Sequence, residues 1–218
     1  MDMITCVNTI GTVGIMSGIH SLPTPFVKCL VDMVAYNNEY VLKENEQIFY
    51  DFAEVSYHSM ARNRLARAIR GNWILMLDTD QTFSPDVLAR MLWLAEEHKI
   101  DVLTGLYHQK KDPYNPVIYK LNDDGMFEHI IGWDKEKAVI KIDSAGGGCL
   151  LIRNHVLKTM FGQGMLPFAE IEGNSEDHSF FRRLMKLDIS AYCAPDVRIN
   201  HMIWSEVDYE MMEVARNG

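Results

Sequence analysis

The chain has 218 residues, is 48% hydrophobic and carries a formal net charge of -9, from 21 Lys and Arg against 30 Asp and Glu. That length and apolar content suffice for a full core and fit one large α/β domain over residues 1–218 better than two small ones. The acidic balance argues against a nucleic-acid backbone or an anionic membrane surface as partner, because either needs clustered Lys and Arg. A small phosphorylated ligand stays open if a metal ion and a few local Arg residues supply the positive field. Cys6, Cys29, Cys149 and Cys193 form no Cys-x-x-Cys pair, so no zinc or redox motif is indicated and free thiols in a reducing cytoplasm are expected. Met1-Asp2-Met3 lacks a basic leader and no apolar run approaches the roughly 20 residues of a membrane span, so a soluble cytoplasmic protein is expected.

Along the chain, Ile4 to Asn8 reads as a first strand. Thr24-Pro25 then opens a helix in which Phe26, Val27, Leu30, Val31 and Val34 recur at helical spacing. A second strand is expected from Ile48 to Val55. The helix from Ser59 to Arg70 follows, burying Ala61, Leu65, Ala68 and Ile69, turning Arg62, Asn63, Arg67 and Arg70 outward and stopping at Gly71. The apolar run Trp73 to Leu77 is a buried strand, Pro85 opens a helix to about His98, and Ile100 to Leu106 is another strand. This β, α alternation predicts a mainly parallel, doubly wound sheet. Val117 to Leu121 and Met126 to Ile131 then flank the turn Asn122-Asp123-Asp124-Gly125, which predicts a small antiparallel addition. Ala138 to Ile142 is a strand, Gly146-Gly147-Gly148 feeds the strand Cys149 to Ile152, and Asn154 caps a short helix. Ser175 caps the helix Glu176 to Leu187, and Ile189 to Cys193 starts the last strand.

Chemistry concentrates after these strands. Asp78-Thr79-Asp80 places two carboxylates at the carboxyl end of a buried strand, where open α/β sheets bind ligands and where hard divalent cations find oxygen donors. The glycine triplet lets a backbone approach a ligand closely, Ser175-Glu176-Asp177-His178 sets two acids at a helix start, and His201 follows a strand. Taken singly, each has a structural reading as a turn, a bulge, a cap or a satisfied core histidine.

Taken in order, they resemble the GT-A glycosyltransferases, particularly the inverting enzymes of family two, over about residues 56 to 204. The stretch from Ala61-Arg62-Asn63 to Asp78-Thr79-Asp80 is similar to the family's run from its Ala-Arg-Asn helix to its Asp-x-Asp. Gly146 to Arg153 resembles its acceptor-side loop and strand, and Ser175 to Leu184 its Glu-Asp helix. The resemblance implies a GT-A fold with a nucleotide-binding half, residues 1–106, and an acceptor and metal-completing half, residues 107–218. It further implies transfer of a sugar from a nucleoside-diphosphate sugar of the UDP or GDP type to an acceptor hydroxyl, with inversion.

In that reading Asp80 binds Mn2+ or Mg2+, Asp78 holds the ribose or a metal-bound water, and His201 completes the metal site. Asp177 is the base that takes the acceptor proton, and Glu176 positions the acceptor or supports the base. Thr9, Arg62 and Thr79 contact the nucleotide sugar, while Gly147 and Gly148 run along the donor sugar or the acceptor. Two segments depart from the family. Asn8 to Gly14 stands where a Pro-Thr-Tyr-Asn-like segment is usual, and Glu54-Val55-Ser56 where an acidic turn is usual. The acceptor surface is left to a short lid, at Tyr107 to Lys111 or Met165 to Asn174, or to a partner chain or second copy. The alternatives are a sugar nucleotidyltransferase and a non-catalytic nucleotide- or sugar-binding module of the same fold. The first would favour a Gly-rich opening loop with Arg and Lys; here Gly11 to Gly18 is Gly-rich with neither.

Overall fold

The computed structural model describes residues 7–18, 21–54, 57–171 and 173–203. Residues 4–6 of the expected first strand, Val55 and Ser56, and the stretch from Glu206 to Ala215 lie outside the described residues. In chain order the elements are β1 (Asn8–Met16), α1 (Thr24–Tyr40), β2 (Glu46–Phe52), α2 (His58–Ala68), β3 (Trp73–Asp78), β4 (Gln81–Thr82), α3 (Val87–Glu97), β5 (Val102–Leu106), β6 (Ile118–Leu121), β7 (Phe127–His129), β8 (Ile140–Ile142), β9 (Ser144–Ala145), β10 (Cys149–Arg153), α4 (Asn154–Gly162), α5 (Glu176–Lys186), β11 (Ala191–Arg198) and β12 (Asn200–His201).

The main sheet has the order β2-β1-β3-β10-β5-β11-β8. β2, β1 and β3 run parallel, as do β5 and β11. β10 is antiparallel to both of its neighbours, and β8 closes the edge antiparallel to β11. The expected mainly parallel sheet with an antiparallel addition is therefore what forms; the addition is the sheet β7-β6-β9, joined by the ribbon β12-β4.

Both faces of the main sheet are covered, which is why the central strand β3 is apolar from Trp73 to Leu77. Trp73, Leu75 and Leu77 of β3 face Phe26, Leu30 and Met33 of α1 and Leu88 and Met91 of α3. Ile74 and Met76 face the other layer, built from Leu65 of α2, Leu157 and Met160 of α4 and Phe180 of α5. No helix among the described residues is long and apolar enough to cross a membrane.

The sheet corrects one reading. Asn8 to Gly14, expected to leave the first strand, is most of that strand. Its glycines serve packing: a Cβ on Gly11 would lie 2.1 Å from the Trp73 indole, and one on Gly14 would lie 3.2 Å from Leu65. The Gly-rich opening that a nucleotidyltransferase would use as a phosphate loop is thus in part a buried strand. Asn154 is also corrected: it lies inside α4 and its amide donates to the Gly71 carbonyl at 2.7 Å, tying α4 to the turn before β3.

Strand direction positions the site. Because β10 runs against β3, the glycines before it arrive at the carboxyl end of β3, where the Asp78 N–H donates to the Gly148 carbonyl at 2.9 Å. Gly11→Ala is expected to lower stability by about 1–3 kcal/mol through overpacking against Trp73. Urea denaturation would read it, and trimming Trp73 to Leu in the same chain should recover part of the loss.

Candidate active site

A cleft of about 480 Å³ opens at the carboxyl end of β3, lined in part by Asp78, Asp80, Tyr107, Lys110, Gly147, Glu176, Asp177 and His201. Its floor is Arg62, which is only 2% exposed despite its expected outward position. On α2 it shares a buried face with Leu65 and Ala66, three and four residues on, and it lines the cleft. Its Nη1 donates to the Gly147 carbonyl at 2.7 Å, Nη2 to the two Asp78 carboxylate oxygens at 2.9 and 3.2 Å, and Nε to Glu176 Oε1 at 3.4 Å. Burial alone would lower the Arg62 pKa; Asp78, then Glu176 and Asp177, more than offset it and hold the guanidinium charged. Arg62 therefore organises the floor through protein acceptors, and Asp78, expected also at the metal, is engaged by it.

The glycine triplet is fitted to side chains. A Cβ would meet the Tyr107 hydroxyl from Gly146 at 2.0 Å, the Arg62 guanidinium carbon from Gly147 at 2.5 Å, and Gln81 from Gly148 at 2.1 Å. The Gly148 N–H donates to the Tyr107 hydroxyl at 3.2 Å, so that amide, expected to face a ligand, is already used. Burial first, then the Asp78 charge, raises the Tyr107 pKa well above its ordinary value and keeps the hydroxyl protonated.

Asp80 differs from Asp78. It stands 38% exposed, its Oδ2 accepting from Lys110 Nζ at 2.5 Å. Its Oδ1 is buried without a hydrogen-bond partner among the described residues and lies 3.8 Å from His201 Nε2. His201 Nδ1 is 2.7 Å from the His108 carbonyl, an acceptor, which puts a ring proton on Nδ1 and turns Nε2 toward Asp80. An orphaned carboxylate oxygen facing the Nε2 edge of an imidazole whose other nitrogen is held by a carbonyl suits a divalent cation. No group of three His, Cys, Asp or Glu side chains is placed to hold an ion among the described residues, so further ligands would be phosphate or water oxygens.

Asp177 lines the cleft at the start of α5, its carboxylate accepting from Ser175 Oγ and, at 2.7 Å, from the His178 N–H. Ser175 thus bonds Asp177 and makes no cap with its side chain. Two expected contacts are not brought to the cleft. Thr79 Oγ1 donates to the Met16 carbonyl at 3.2 Å. Thr9 accepts from Gln47 at the amino end of β1, while Met16 pairs with Asp78, so Thr9 lies roughly 20 Å upstream at about 3.3 Å per residue. The loop from Met165 is likewise pinned, with the Phe168 N–H donating to Asn63 at 3.0 Å. Tyr107 escaped the sequence reading as a site residue; its one signal was a tyrosine directly after an apolar strand.

Comparison with known proteins places this geometry. The sequence profile of Glycosyl transferase family 2 matches residues 33–161. The chain belongs to that family. The matched span contains Asp78, Asp80 and the glycine triplet and ends before Glu176, Asp177 and His201. No curated protein matches the glycosyltransferase in sequence. Among solved structures, A197 from STIV superposes with a TM-score of 0.59 at 16% identity, over 88% of this chain and 86% of that one. GalNAc-T7, solved with UDP, GalNAc and Mn2+, superposes with a TM-score of 0.61 at 13% identity, over 90% of this chain and 44% of that one. The glycosyltransferase thus spans less than half of that second chain, and the shared feature is the GT-A fold.

Replacing Arg62 by Met should destabilise the fold by about 3–5 kcal/mol, because Asp78 and Glu176 would stay half-buried without their cation; chemical denaturation would read the loss. A pH effect is expected at His178, which packs on Phe127 with ring centroids 4.6 Å apart and lies 2.6 Å from Ser144 Oγ. Burial lowers its pKa below the ordinary 6.5. The neutral ring's contribution is therefore complete above pH 6.5 and is lost as pH falls through the lowered value. Melting temperatures from pH 7 to 5 should fall less steeply in His178→Phe than in the wild type.

Proposed function

We propose that this family-2 glycosyltransferase moves a sugar from a nucleoside-diphosphate sugar of the UDP or GDP type to an acceptor hydroxyl, with inversion and with a divalent metal. The observation that carries this reading is one cleft with a cation-ready pair, Asp80 Oδ1 and His201 Nε2, and a separate carboxylate, Asp177, at a helix start. Mn2+ or Mg2+ held by Asp80 and His201 would neutralise charge on the leaving diphosphate. The nucleotide half, residues 1–106, supplies Arg62, Asp78 and Asp80; residues 107–218 supply the glycine wall, Glu176, Asp177 and His201.

Asp177 accepts the acceptor proton as the acceptor oxygen bonds to the anomeric carbon. The electron pair of the breaking carbon–oxygen bond stays on the diphosphate, and attack opposite the departing group inverts the anomeric centre. Glu176 holds Arg62, and through it the floor, so its part is support. Gly147 forms the wall along the donor sugar, where its missing Cβ leaves room over Arg62. The acceptor side is open toward Tyr119, whose pKa is pushed up to about 12 by burial and by the Asp177 charge.

Asp177→Asn should reduce transfer by about 10²- to 10⁴-fold while leaving the binding of UDP or GDP with Mn2+ unchanged. NMR of the product anomer tests the displacement, and a retained configuration would overturn Asp177 as base. In the wild type, a matching nucleotide at about 100 times its dissociation constant with Mn2+ should add roughly 2.7 kcal/mol of stability, and Asp80→Ala should remove that gain.

A further inference from the structure

The cleft contains a cation that the reading above does not use. Resting on that reading, we infer that Lys110 is the residue that takes up the leaving diphosphate, and that its pairing with Asp80 couples metal binding to nucleotide binding.

Lys110 is carried by a loop whose base is fixed. His108 bridges Pro116, the Gln109 N–H donates to the Asn115 carbonyl at 2.9 Å, and the Val117 N–H donates to the Tyr107 carbonyl at 2.9 Å. The same loop holds His201 through the His108 carbonyl, so one segment sets both the imidazole and the ammonium around Asp80. Among the Arg and Lys side chains lining the cleft, Arg62 is bound to Asp78, Gly147 and Glu176. Lys110 and Lys111 are the others. Lys110 Nζ sits on Asp80 Oδ2 while Oδ1 of the same carboxylate faces His201.

A divalent ion at Asp80 Oδ1 and an ammonium at Oδ2 would stand within a few ångströms of each other and repel. Bound alone, a metal ion is therefore disfavoured by Lys110. A nucleoside diphosphate entering with the ion would offer Lys110 a more negative partner than one carboxylate. The pair with Asp80 is exposed, 42% on the Lys110 side, so breaking it costs the fold little. As the carbon–oxygen bond breaks and its electron pair remains on the diphosphate, the added negative charge develops next to the Lys110 ammonium, while the acceptor proton leaves to Asp177. Metal and nucleotide then assist each other, and by reciprocity each should raise the other's affinity by the same factor.

Calorimetry would titrate the wild type, Lys110→Ala, Lys110→Arg and the control Lys111→Ala with MnCl2 alone, and with UDP and GDP at saturating MnCl2. Lys110→Ala should bind Mn2+ alone about two- to fivefold more tightly, because an exposed competing pair is gone. It should bind the matching nucleotide roughly 10- to 100-fold more weakly, the loss of a charge-assisted contact. Lys110→Arg should keep the nucleotide affinity. Opposite movement of the two affinities is not what a merely structural role would give. If both fall together or neither changes, Lys110 has no such role and the glycosyltransferase reading stands. If the wild type binds neither nucleotide with Mn2+, the donor site itself fails, and Lys110 with it.

Discussion

Arg62 is the constraint on which the cleft depends. A guanidinium removed from water must be met by acceptors in its own plane, and here they come from the end of β3, the approach to β10 and the first residue of α5. Segments far apart in sequence are thereby fixed relative to one cation. The glycine at position 147 follows from this, since a Cβ there would overlap the guanidinium carbon. So does the contrast between the two neighbouring aspartates. Asp78 is engaged by Arg62, whereas Asp80 keeps one buried carboxylate oxygen without a hydrogen-bond partner among the described residues.

The cleft therefore has a rigid floor and an adaptable rim. The floor is buried, with Arg62 paired to its carboxylates and Tyr107 to the Gly148 amide. Such a network resists rearrangement, because breaking any one link leaves a buried group without a partner. At the rim, Asp80 and Lys110 are partly water-accessible and paired with each other, and Asp177 is held at the start of α5 by Ser175 and the His178 N–H. Division of this kind suits group transfer, in which a fixed frame must receive a charged donor and then release a more highly charged product.

Much of the fold was legible because its elements are strongly periodic. The strand at Trp73 to Asp78 and the helices at Thr24 and Glu176 fall where apolar spacing puts them. The first strand was misplaced because Gly11, Thr12 and Gly14 dilute its apolar signal, and only the Trp73 indole across the sheet explains why glycine is wanted there. Arg62 was read as solvent-facing because charged helix residues usually are. The hint lay in its sharing a face with Leu65 and Ala66, but the carboxylates that make its burial tolerable stand elsewhere in the chain. The Asp-x-Asp, the glycine triplet and the Glu-Asp helix start were visible as local motifs. The Lys110 to Asp80 and His201 to His108 contacts were not, since they join the loop after β5 to the short β4–β12 ribbon, and neither has a pattern of its own.

The ribbon of β4 and β12 pairs Gln81 with His201, so the Asp80 edge of the cleft is completed by almost the last described residue of the chain. During synthesis the carboxylate-bearing strand β3 emerges first, and the imidazole only after β11 has been made. A nascent chain released before that point would carry both aspartates but lack the ring that faces Asp80.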